Sequence, residues 1–86
     1  MLRIEREKDG SRIILRLIGR VRSDRVEELR KQVQNQTSSI VLDLAQVVLV
    51  DLPAVHFLRD CQDQKIELRN CKPYILEWIR RERIEG

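Results

Sequence analysis

The side chains able to do chemistry are few and scattered. Asp43 and Asp51 bracket one apolar run. Paired carboxylates can divide general acid and base work, but no nucleophile or glycine-rich phosphate loop accompanies these two. An enzyme is therefore not expected, and no catalytic residue is assigned. His56 is the single histidine. With Arg59 and Asp60 as neighbours and no second imidazole, it reads as a rim residue. Cys61 and Cys71 lack the Cys-x-x-Cys spacing of a zinc or redox site, and His56 is the one further soft ligand. Neither a metal nor a cofactor is expected. Cys61 falls on the apolar side of a predicted helix and reads as a buried structural thiol. Trp78, with Tyr74 one turn before it, has the composition of a partner anchor, although core packing is the commoner use.

Four arginines, Arg16, Arg20, Arg22 and Arg25, recur closely enough to suggest a basic edge for an anionic ligand or nucleic acid. The net charge is only +3, however, and signs alternate, as in Arg3-Ile4-Glu5-Arg6-Glu7-Lys8-Asp9. Mixed charges cancel beyond a Debye length of roughly 8 Å, so a solvated surface is the stronger reading and nucleic acid the alternative. The 86 residues imply a single domain over 1–86. A 42% hydrophobic and 36% charged composition excludes bulk disorder. Charges follow Met1-Leu2 at once, and no apolar run is long enough for a signal peptide or a membrane span. The expected setting is a reducing cytoplasm with free thiols.

These residues need elements to position them. Leu2 and Ile4 alternate with Arg3 and Glu5, the period of a half-wet strand. Asp9-Gly10 suits a tight turn, and Arg12 to Ile18 alternates again, with Ile13, Leu15 and Leu17 on one face. Gly19 to Ser23 reads as a break. Asp24 and Glu27 have capping-box spacing, and Val26, Leu29 and Val33 recur at helical period. Asn35 to Ser39 ends that helix. Ile40 to Leu44 is apolar on both faces up to Asp43, which predicts a central strand with Val41, Leu42 and Leu44 buried; Val47 to Val50 continues the signal. Asp51 is placed to cap a helix that Pro53 opens, running to Asp63-Gln64 with Ala54, Leu58 and Cys61 inward. Ile66 and Leu68 flank Glu67 in a short strand, and Asn70-Cys71-Lys72 turns the chain. Pro73 opens a last helix with Ile75, Leu76 and Ile79 inward, and Arg80 to Gly86 is expected to fray. The prediction is an α/β fold: a mixed sheet of four or five strands, an N-terminal antiparallel hairpin and about three helices.

The stretch Ile40 to Val55 resembles the STAS domain, the fold of bacterial anti-sigma factor antagonists. In that family an apolar-Asp-Leu strand precedes a short link, an apolar pair, an Asp, two Ser and a Gly at a helix start. Asp43-Leu44 and Val50-Asp51 match, Ile18-Gly19-Arg20-Val21 resembles the glycine-marked end of the second strand, and Ile66 to Asn70 resembles the strand after the switch helix. The resemblance implies a protein-binding module whose partner is an anti-sigma factor or kinase-like protein, a subunit of a larger complex such as a transporter, or a second copy. It places partner contacts at Val50, Asp51, Leu52, Pro53 and His56. The departure is as telling: the two serine positions hold Leu52 and Pro53, and the glycine position holds Ala54. Pro53 offers no hydroxyl, so phosphorylation there is excluded; Ser23, Thr37, Ser38 and Ser39 are the candidate hydroxyls for such control elsewhere.

Overall fold

The computed structural model describes residues 2–34 and 39–85. The elements are β1 (Leu2–Asp9), β2 (Arg12–Val21), α1 (Ser23–Gln34), β3 (Ser39–Val50), α2 (Leu52–Asp63), β4 (Glu67–Arg69) and α3 (Pro73–Glu85). They build a four-stranded sheet in the order β1-β2-β3-β4. The first pair is antiparallel and the other two are parallel, the mixed sheet that the alternating strand and helix patterns predict. The turn lies one residue later than expected: Asp9 pairs with Arg12, leaving Gly10-Ser11 as the loop. Gly10 has φ +61, and a Cβ there would meet nothing within 4 Å, so backbone conformation and not space calls for glycine.

Both parallel crossovers step the same way across the sheet. Right-handed connections therefore place α1 and α2 on one face, and α3 packs against α2. The core fills the space between, with Leu15 and Leu17 from β2, Leu42 and Leu44 from β3, Phe57 from α2 and Ile75 from α3. Val41 points the other way. It pairs with Ile14 across β2 and β3, and both lie outside the main cluster although only 2% and 7% exposed.

That second face carries no helix among the described residues. A row of alternating charge crosses it instead: Glu5, Arg16, Asp43 and Arg69 are successive cross-strand neighbours. The Arg16 guanidinium lies 3.5 Å from Glu5, 3.4 Å from Glu7 and 3.7 Å from Asp43. Ile14 and Val41 leave the sheet on the same face as this row, in which the Asp43 side chain is 13% exposed and those of Arg16 and Arg69 are 34% and 33%.

Several expectations are corrected. The break at Gly19 is instead a register shift, and β2 continues to Val21. Gly19, at φ +105, supplies the backbone freedom that shift needs. The Asp24–Glu27 capping box does not set the start of α1. The helix begins at Ser23, and Asp24 sits inside its first turn, where its charge suits the N-terminal dipole. Leu76 is exposed, since the helix turns it away from the face holding Ile75 and Ile79. The segment after Arg80 stays helical to Glu85. Arg83 holds it to α2, donating to Asp63 at 2.7 Å and to the Arg59 carbonyl at 3.2 Å. Thr37 and Ser38 lie outside the described residues.

Candidate docking surface

The distinctive geometry gathers where β3 ends and α2 begins. β2 and β3 pair with two register shifts: Arg16 faces Asp43 but Ile18 faces Gln46, and Gly19 faces Val47 but Arg20 faces Leu49. β3 thus carries extra residues, and Val48 has no partner on β2. Bulges re-aim side chains. The result is that Val48 (64% exposed), Leu49 (46%) and Leu52 (43%) stand in solvent around the buried Val47 and Val50. Three exposed aliphatic side chains thus fall within five residues of the chain at one corner, its apolar strip.

Asp51 shapes that corner. It is the N-cap of α2 in extended conformation (φ −110, ψ 179), and its Oδ1 accepts the Ala54 N–H at 3.1 Å. Its Oδ2 accepts the Ser23 N–H at 2.8 Å. One carboxylate therefore serves the first turns of both α1 and α2, each of which begins with backbone donors lacking a helical acceptor. The cap on α2 matches the sequence expectation. The bond to Ser23 was not expected and replaces the predicted role of Asp24. Pro53 lies in the first turn of α2, where a missing N–H costs no hydrogen bond.

The sequence-derived contact residues divide here. Leu52 and Pro53 are exposed at the corner, whereas Val50 is 5% exposed and belongs to the core. Val50 is thus corrected from a partner contact to a packing residue, and Val48 and Leu49 take the exposed positions. Periodicity alone missed these two, because inside a bulge alternation no longer reports the face. His56 stands one turn after Leu52, half-exposed, with Nε2 2.7 Å from Glu82 of α3. It ties two helices together and is not a free group. The four-arginine edge is also divided. Arg16 is engaged in the centre of the charged sheet face, and Arg25 is held by Glu28 and the Leu2 carbonyl. Arg20 and Arg22 remain exposed near the corner.

Away from the corner, Trp78 packs partly on the core and Tyr74 is half-exposed. Burial pushes the Cys61 thiol up to about 12, and Cys71 is also raised by burial. Among the described residues no cluster of three His, Cys, Asp or Glu side chains is arranged to hold a metal ion. No helix among them is long and apolar enough to cross a membrane.

A mixed four-stranded sheet with an antiparallel first pair and three helices is the arrangement of the STAS fold. The chain superposes on SpoIIAA, an anti-sigma factor antagonist solved in its unphosphorylated form, with a TM-score of 0.65. That match covers 93% of this chain and 82% of the other at 16% identity. It also superposes on part of the crystal structure of Mglu, with a TM-score of 0.62 and 22% identity over 80% of this chain, but spans only 19% of that one. At these identities the likeness is one of fold. No protein-family model matches the chain, and no curated protein does.

Proposed function

We propose that this chain is a non-catalytic docking module of the anti-sigma factor antagonist kind, binding a protein partner through the β3–α2 corner in the cytoplasm. The observation that carries the reading is the apolar strip of Val48, Leu49 and Leu52 beside an aspartate-capped helix start, on the fold shared with SpoIIAA. Small soluble domains rarely leave aliphatic residues clustered in water without a use. Pro53 restricts the backbone at the corner, which lowers the ordering cost of docking. Binding is constitutive at this place: Leu52, Pro53 and Ala54 carry no hydroxyl, so no phosphate can be added where the family resemblance puts its switch. Asp51 supports the surface through its two backbone bonds, and His56 borders it through its pair with Glu82.

A photo-crosslinker placed at Leu52 in the native host should trap one partner protein that a crosslinker at Ile84 does not. Leu52→Asp, which sets a charge where an apolar contact is made, should weaken purified partner binding by at least about 1 kcal/mol. Unchanged affinity with the fold intact removes the corner from the interface.

A further inference from the structure

We propose that the partner presents an acidic and apolar protein segment to this corner, its aliphatic residues meeting Val48, Leu49 and Leu52 and its carboxylates meeting Arg20 and Arg22. This rests on the docking reading above and names the chemistry of the occupant. The arginines of this chain are otherwise well matched: Arg3, Arg12, Arg25, Arg30, Arg69, Arg80 and Arg83, for example, each meet an acid. The guanidinium groups of Arg20 and Arg22 meet no hydrogen-bond or ion-pair partner among the described residues, and both residues are exposed. They stand at the corner for reasons of register. Arg20 is the cross-strand partner of Leu49, so the two side chains leave the same face of the sheet. Arg22 precedes Ser23, whose N–H is bound by Asp51 at the start of α2. With Leu2, Asp24 and Arg25, these two arginines line an open cleft of about 290 Å³.

An apolar centre bordered by two unmatched cations complements a segment of opposite pattern. A guanidinium is the group suited to paired contact with a carboxylate. A second copy of this chain fits poorly, because face-to-face packing of two corners sets Arg20 and Arg22 against their own kind. A nucleic acid fits poorly as well: the strip has no aromatic ring on which bases could stack, and its middle is aliphatic.

The test is a titration of the isotope-labelled chain with a synthetic amphipathic peptide of Leu and Glu, and with its counterpart carrying Lys for Glu. The Glu peptide should move the backbone amide resonances of Arg20, Arg22, Leu49 and Leu52. Its affinity should fall about fivefold or more as salt rises from about 0.05 to 0.5 M. The double variant R20E/R22E removes no side-chain hydrogen bond or ion pair among the described residues, so it should remain folded and prefer the Lys peptide. Equal response to the two peptides overturns the proposal, as do resonance shifts confined to another face. Tighter binding of single-stranded DNA than of the Glu peptide, or self-association through the same amides, overturns it too. The crosslinked partner separates the two readings. If Leu52→Asp weakens it while R20E/R22E does not, the acidic partner is wrong and the docking corner stands. If R20E/R22E weakens it while Leu52→Asp does not, the acidic contact is supported and the apolar strip is not the interface.

Discussion

Cys61 packs in the core, and loss of solvation holds its thiol near 12, with Asp60 adding to the rise and Arg30 opposing it. In the unfolded chain the same thiol ionises near 8.5. A folded value above the unfolded one means that keeping the thiol neutral stabilises the fold fully below about pH 8.5. That contribution is lost as pH climbs towards 12. Cys61→Ala should cost about 1 kcal/mol at pH 7 through lost packing, and the gap to the parent chain should narrow steadily above pH 9. Urea unfolding at several pH values measures this, and a pH-independent gap would refute it. At this scale much was readable. The Asp51 cap follows from an acid two residues before a proline, and the buried thiol from its helical position. The second bond of Asp51, to Ser23, and the Glu82 partner of His56 were not readable, because each joins residues far apart in sequence and depends on how elements dock.

The end of α2 shows how an element closes itself. Gln64 is its C-cap, the Lys65 N–H reaches the Gln62 carbonyl at 3.0 Å, and the Ile66 N–H reaches the Cys61 carbonyl at 2.9 Å. This is the doubly bonded helix stop that places its next residue in the left-handed region, and Lys65 has φ +63. A lysine there bears a steric cost that glycine avoids. Lys65→Gly should therefore raise stability by up to about 1 kcal/mol in thermal or urea unfolding, and a clear loss would show that the left-handed cost does not govern. Strand and helix types were readable from periods of two and of 3.6, down to the inward set of α1. Two things were hidden. The bulges of β3 insert residues that alternation cannot register, and the last turns of α3 look like a charged tail until Arg83 is seen reaching Asp63.

Across the whole molecule, the uncovered sheet face is stitched by the row from Glu5 to Arg69. Asp43 is its pivot. It accepts the Ala45 N–H at 3.0 Å and the Asn70 side chain at 3.3 Å, and Arg16 and Arg69 add attraction. The Ala45 bond is the main reason its carboxyl lies below the ordinary value, with burial opposing. A depressed value contributes stability that is present above the ordinary carboxylate range and vanishes as pH falls through the lowered one. Asp43→Asn should thus be less stable than the parent by about 1 kcal/mol at pH 7, with the difference closing in strong acid; a difference that persists there would assign it to shape. The one-sided layering of the fold has a further consequence. β4 pairs only with Val41 to Asp43, so among the described residues no strand lies beside Leu44 to Val50 on that side of β3, and Lys72 donates to the Ala45 carbonyl. That stretch is uncharged and rich in β-branched residues, the composition from which cross-β fibrils grow. Asp43 and Asp51 stand at its two ends as gatekeepers. A partner seated on the proposed corner would therefore also cover one end of a segment able to seed such fibrils.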